Sequence, residues 1–398
     1  MNAAIRADFP ILKDLIYFDN AATSLTPEPV LQAALSYYRE YNANVGRSVH
    51  RLAQVATQRY AEAHRKVAAF IGAGGDGEVV FTKNTTEAIN MVAYGFPWHH
   101  GDEVVTTLLE HHSNFLPWLR LKARGVSLKL VEPTREGLFE LADFERAITD
   151  RTRLIAVTHV SNVLGTIAPI KEIAALCAEQ SGGNRPRLLL DGAQSVPHLP
   201  IDVKALGCDF LAFAGHKMLG PTGTGVLWLR DPAELEPTFF GGGMIETVSR
   251  DDFTMTTGYE RFEAGTPHIA GGIGLGRAVD YLRAIGPAQL GKHETWLTER
   301  LVTGLAELEH VRVYGPLNSR DRIGVVSFTI DGLHPHEVAR MLDEAASIMV
   351  RSGYHCCMPL MQHLGLKDGT VRASLYLYNT EAEVDTFLET VAKVTEAV

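Results

Sequence analysis

Cysteine is scarce: four residues in 398, Cys177, Cys208, Cys356 and Cys357. Four are too few to staple a chain of this size, and two are adjacent. A secreted disulfide scaffold is excluded and a reduced, cytoplasmic setting is expected. Positive charge is not in surplus; 37 Lys and Arg against 47 Asp and Glu leave a formal net charge of −10. Without a basic footprint for phosphates, no nucleic-acid partner is expected. No run approaches the ~18 uninterrupted apolar residues of a membrane span, so no membrane partner is expected either. The opening MNAAIRADFPILKD carries Arg6, Asp8 and Lys13 and lacks the apolar centre of a signal peptide. What is present is a globular composition, 46% hydrophobic and 21% charged, which rules out wholesale disorder.

No internal repeat is visible, and the loose stretches at 72–77, 181–186 and 241–243 are short enough to be loops. Strands are predicted over 78–82, 103–107, 126–131, 154–158, 187–190, 210–213 and 226–229. Helical patterns fall between them over 86–94, with Thr85 as N-cap, over 114–123 and over 170–179. Strands alternating with helices predict a mostly parallel sheet covered on both faces. Beyond about residue 275 the order becomes α+β, with helices over 274–284, 293–308 and 336–345 and strands over 323–330 and 371–377. The expected fold is α/β: a large domain over 14–284 and a smaller α+β domain over 285–398, with residues 1–13 packed on the latter.

In an open parallel sheet, ligands sit beyond the carboxyl ends of the strands. Here those ends are followed by Lys83-Asn84-Thr85-Thr86, Glu110-His111-His112-Ser113, His159-Val160-Ser161-Asn162, Asp191-Gly192-Ala193-Gln194 and Gly215-His216-Lys217. Hydroxyls at a helix start (Thr85, Thr86) suit a phosphate. An imidazole (His111) stacks flat on an aromatic ring. A carboxylate at a strand end (Asp191) holds a protonated ring nitrogen. A lysine (Lys217) forms a Schiff base once its amine is deprotonated. A phosphate, a ring, a ring nitrogen and an aldehyde together describe pyridoxal 5'-phosphate (PLP).

The segments Asp191-Gly-Ala-Gln194, Ala214-Gly-His-Lys217-Met-Leu-Gly-Pro-Thr-Gly and Phe262-Glu-Ala-Gly-Thr266-Pro resemble the class V aminotransferase superfamily of PLP enzymes, of fold-type I. Arg351-Ser-Gly-Tyr-His-Cys356-Cys-Met-Pro-Leu and Val371-Arg372-Ala-Ser-Leu resemble its SufS/CsdA-type (group II) cysteine desulfurases. The resemblance covers essentially the whole chain. It implies that Lys217 carries PLP and moves the substrate's α-proton, that Asp191 pairs with the ring nitrogen, and that Gln194 bonds the ring oxygen. It places His111 on the ring face, Thr85, Thr86 and His216 on the phosphate, and Asn162 near the ring oxygen and the substrate. Thr266 is implied to reach the phosphate of a neighbouring subunit, making a homodimer. Arg372 is implied to clamp the substrate carboxylate. Cys356 is implied to take the sulfur of L-cysteine as a persulfide, leaving alanine, and to pass it to a SufE- or SufU-type acceptor for iron–sulfur cluster assembly. A thiolate is the competent nucleophile, and His355 and Arg351 stand beside Cys356 as groups that could lower its pKa.

Three positions depart from that pattern: Ala214 replaces a phosphate-binding Ser or Thr, Tyr354 a second histidine, and Cys357 an alanine. Alanine at 214 implies one hydrogen bond to the phosphate fewer, or one made by another residue. Cys357 is open to three readings: bystander, resolving thiol or alternative sulfur acceptor. Cys177 and Cys208 read as inert core thiols. The pairs His99-His100 and His111-His112 and the run His355-Cys356-Cys357 lack metal-ligand spacing, so no metal is expected. Other reactions reachable from the same scaffold are those of a selenocysteine lyase, a cysteine sulfinate desulfinase, an aminotransferase or an epimerase. A non-enzymatic sulfur-carrier or assembly scaffold would turn over no amino acid.

Overall fold

The computed structural model describes residues 3–179 and 185–396, so most of the loop predicted at 181–186 lies outside the described residues. Seven strands form the larger sheet: β1 (Glu78–Thr82), β2 (Glu103–Thr107), β3 (Ser127–Val131), β4 (Thr152–Thr158), β5 (Arg187–Asp191), β6 (Phe210–Ala214) and β7 (Gly225–Leu229). Their spatial order is β1-β7-β6-β5-β4-β2-β3, with β7 antiparallel to both neighbours and the other pairings parallel. Strands β6 (FLAFA) and β7 (GVLWL) are buried at every position, which explains their unbroken apolar runs. Successive residues still point to opposite faces. Val105, Ile155, Leu190 and Val226 join one core with Ile173 and Val279. Val104, Leu154, Leu189 and Leu227 join the other with Ile89 and Trp118.

The second sheet is smaller and wholly antiparallel: β8 (Val311–Tyr314), β9 (Val325–Ile330), β10 (Arg351–Gly353) and β11 (Thr370–Ser374), ordered β8-β9-β11-β10. Helices Pro287–Ala306, Pro335–Ala346 and Glu381–Thr395 bury Leu301, Leu342 and Phe387 against Val326, Phe328 and Val371. A capping box, Thr380 with Glu383, starts the last of them. The N-terminal segment reaches this part of the molecule. Ile16–Tyr17 pairs in parallel with Ile348–Met349, Phe18 joins the same core, and Arg6 forms an ion pair with Glu383 at 2.7 Å.

Two local expectations are corrected. The helix after β1 spans Thr85–Gly95, and its N-cap is Asn84, not Thr85; Asn84 Oδ1 accepts the Glu87 amide at 2.9 Å. The helix predicted over 114–123 is broken into a 3-10 turn His112–Asn114, a short α-helix Leu116–Leu121 and a second 3-10 turn Lys122–Arg124. Pro117 explains the break. Its ring, without an N–H, fits only the first turn of a helix, so the α-helix cannot start earlier.

Candidate active site

β1 to β6 run the same way, so their carboxyl ends share an edge. Loops after five of them meet there in one pocket. The facing wall comes from the small sheet: Arg351 of β10, the turn with His355 and Cys356, and Arg372 of β11. The structure thus brings together Thr85, Thr86, His111, Asn162, Asp191, Gln194, His216, Lys217, Cys356 and Arg372. Thr266 is not among them. It is exposed on a separate segment, where it accepts a bond from Asn44 Nδ2 at 3.3 Å.

Because Asn84 takes the capping role, the Thr85 hydroxyl is free; it is buried and finds no partner among the described residues. Thr86 Oγ1 meets Ser113 Oγ at 2.7 Å, and Ser113 Oγ meets His111 Nδ1 at 2.9 Å, so one chain of bonds joins the helix start to the imidazole. Burial, aided by the charge of Lys217, pushes the His111 pKa down to about 3, and burial takes His216 to about 4. Both rings are neutral at pH 7. Ala214 is buried at the end of β6, and Thr23 Oγ1, on the N-terminal loop, lies 3.3 Å from His216 Nδ1.

Asp191 is buried, and its Oδ1 accepts the Ala193 amide at 2.9 Å. Burial raises its pKa, while that bond and Lys217 pull it down. Gln194 donates to the Ala21 carbonyl at 2.8 Å, leaving its buried Oε1 unpartnered among the described residues. Burial lowers the Lys217 pKa to about 8, against the pull of Asp191. An amine so shifted supplies a nucleophilic free base far more readily near neutral pH than an ordinary lysine.

Arg372 is buried; its Nη2 donates to Asp19 Oδ1 at 3.0 Å and its Nη1 to the Asn162 carbonyl at 2.9 Å. Arg351 pairs with it across β10 and β11. Directly opposed residues share a face, and like charges there repel. Both arginines line the pocket, so an incoming carboxylate relieves that repulsion.

Cys356 and Cys357 differ sharply. Cys356 is partly exposed in the pocket. Cys357 is fully buried beside Val163, Leu360 and Met361, and its thiol donates to Asn162 Oδ1 at 3.1 Å. Burial drives the Cys357 pKa far up and so disfavours its thiolate form. His355 is corrected as a group acting on the neighbouring thiol by its charge. Burial, with Arg372 and Arg351 nearby, pushes its pKa to about 2, so it is uncharged; its Nε2 meets Thr370 Oγ1 at 2.9 Å. Arg351 is the remaining cation of the two. Tyr354 turns its hydroxyl to the Lys367 carbonyl at 2.6 Å. Cys177 and Cys208 are buried, their thiols pushed up to about 12, in line with core packing.

Asp19 and Glu110 escape the sequence reading of roles. Asp19 lies far away in the chain, and its only cue is its place in the Phe-Asp-Asn-Ala-Ala run. Glu110 lies buried beneath the His111 loop. It accepts from Thr107 Oγ1 at 2.7 Å, the Thr158 amide at 3.0 Å and Asn114 Nδ2 at 2.5 Å, tying β2 to β4. Burial outweighs these bonds and raises its pKa to about 8.

Thr85 Oγ1, Gln194 Oε1, His355 Nδ1 and Arg372 Nε are all buried without partners among the described residues. Native proteins rarely leave buried polar atoms so, and these four line one pocket. With a half-buried lysine, a buried carboxylate, a flat neutral imidazole and hydroxyls at a helix start, the donor set fits PLP.

The family model described as Aminotransferase class-V matches residues 16–387. A probable cysteine desulfurase of Pyrococcus abyssi is 49% identical over 390 residues, covering 96% of this chain and 95% of the relative. Among solved structures, the apo cysteine desulfurase of Thermococcus onnurineus NA1 superposes with a TM-score of 0.94 at 46% identity, covering 99% of this chain and 98% of that one. A C-DES mutant with glycine covalently linked to its PLP cofactor superposes with a TM-score of 0.85 at 27% identity, covering 97% and 98%.

Proposed function

The chain belongs to the class V aminotransferase family, and from that premise we propose how its residues divide the work of a PLP-dependent cysteine desulfurase, which converts L-cysteine to L-alanine. One observation carries the assignment: a half-buried amine, Lys217, and a partly exposed thiol, Cys356, line one pocket.

PLP, when bound, supplies a ring that draws electrons from the substrate's α-carbon. Asp191 and Gln194 would hold its ring nitrogen and oxygen, Thr85, Thr86 and His216 its phosphate, and His111 would stack on its ring. Arg372, held by Asp19, and Arg351 receive the substrate carboxylate. Lys217 Nζ takes the α-proton and returns it. Asn162, placed near the ring oxygen and the substrate in this reading, holds the thiol-bearing turn by donating from Nδ2 to the His355 carbonyl at 2.8 Å. The Cys356 thiolate attacks the substrate sulfur. The Cβ–S bond breaks, an S–S bond forms, and a proton returned to Cβ completes alanine, so cysteine plus enzyme thiol gives alanine plus enzyme persulfide. A carrier protein of SufE or SufU type then accepts the sulfur for iron–sulfur cluster assembly.

The enzyme works as a homodimer in this reading. Thr266 stands exposed outside its own subunit's pocket, ready to complete the phosphate site of a second copy. Exposed Phe239, Phe240, Val248 and Phe253 on the preceding segment supply an apolar face for that copy. We place the division between its domains near residue 285, where helix Ile269–Ile285 gives way to helix Pro287–Ala306. Among the described residues no helix is long and apolar enough to cross a membrane; cytoplasmic residence is part of the proposal.

PLP-loaded protein given L-cysteine and a reductant is expected to release alanine and sulfide in equal amounts. Cys356→Ala is expected to lose this turnover while keeping the absorbance of bound cofactor. Full turnover by Cys356→Ala, with persulfide still formed, overturns the assignment of the nucleophile.

A further inference from the structure

Cys356 rides on a turn that does not hold its shape unaided. Tyr354–Cys357 closes with the Cys357 amide on the Tyr354 carbonyl at 2.9 Å. Its central residues, His355 and Cys356, both take left-handed backbone, with φ of 48° and 58°. Turns of this kind favour Asn and Gly, which tolerate that backbone. A His-Cys pair there needs support from outside the turn.

His112 supplies it on both sides of the nucleophile. Its amide donates to the Cys356 carbonyl at 2.8 Å, and its Nε2 accepts the Met358 amide at 3.2 Å. Met358 opens helix Met358–Leu364, whose first amides have no partner within the helix. The cap residue Cys357 has turned its thiol to Asn162, so His112 caps the helix from a different strand loop. Accepting that bond requires a lone pair on Nε2, which places the ring's proton on Nδ1. Partial burial, which lowers the His112 pKa, favours that neutral form. The residue before it, His111, lines the pocket.

We propose that His112 is a positioning residue: by capping Met358 it fixes the Cys356 turn against the His111 wall, setting the distance between thiol and substrate sulfur. The inference rests on Cys356 being the nucleophile. It predicts a selective defect. Breaking the Cβ–S bond of cysteine requires the thiol's attack, whereas the sulfinate of cysteine sulfinate departs more readily and needs no such attack.

The test compares wild type, H112A and H112Q on both substrates, with mass-spectrometric measurement of Cys356 alkylation by iodoacetamide. Misplacing a reacting atom costs roughly ten- to a hundred-fold, so kcat on L-cysteine falls by that factor in H112A. KM and the rate on cysteine sulfinate stay within about two-fold, the pattern of a lost transition-state interaction. The alkylation rate of Cys356 changes in H112A, and H112Q, whose amide oxygen also accepts a hydrogen bond, recovers most of both losses. Equal losses on both substrates, or an unchanged alkylation rate, overturns the proposal. Failure of the underlying reading looks different: Cys356→Ala would then turn over L-cysteine as wild type does.

Discussion

At the scale of single residues, burial decides what the ionisable groups do. His355 adjoins Cys356 in sequence, yet burial takes its pKa from 6.5 to about 2. An imidazole shifted that way binds a proton more readily in the unfolded chain. Its contribution to stability is therefore complete above pH 6.5 and is lost as pH falls below it, by about 2 kcal/mol at pH 5. His111 and His216 act with the same sign, while Glu110 acts with the opposite one. Urea unfolding is expected to show stability falling from pH 6.5 to 5 and a shallower slope in His355→Asn. Asn removes the titration and tolerates the left-handed backbone at this position. An identical slope in the two proteins would refute the assignment. Cys356 and Cys357 teach the same lesson: chain position favours Cys356 and leaves Cys357 open to three readings, while burial gives the two thiols different surroundings.

At the scale of elements, the strand ends carry the site, and close backbone approaches fix where those ends lie. Gly225 opens β7 against the Asn84 backbone; a Cβ there would lie 2.6 Å from it. Gly225→Ala is expected to cost about 1–3 kcal/mol, as overpacking does, and to loosen cofactor retention through the shifted Thr85 and Thr86. Melting temperature and cofactor absorbance after dialysis check both. The seven strands of the large sheet were legible because buried runs such as FLAFA and GVLWL have few alternatives, and the polar residues after them named the pocket. Short strands β8 and β10 were not legible: VRVY alternates with a charge, and RSG has no apolar residue. The N-cap at Asn84 was misread because three successive polar residues compete for it. The bond that Asp19 makes to Arg372 was invisible because 353 positions separate them.

At the scale of the whole molecule, the proposed homodimer draws on the exposed Thr266 segment and its aromatic neighbours. Sedimentation is expected to give twice the 43.6 kDa chain mass, and Phe240→Asp, which puts a charge on the exposed face, is expected to shift the protein toward monomer with loss of cofactor. A wild-type protein that sediments as a monomer and retains cofactor would sink the dimer. The pocket also joins distant stretches of chain: its cofactor wall is encoded by residues 84–217, whereas Arg351, Cys356 and Arg372 lie near the end. During synthesis, therefore, Lys217 and Asp191 leave the ribosome well before the thiol does. No persulfide on Cys356 can therefore arise until translation has passed that residue, well after the cofactor wall has been made.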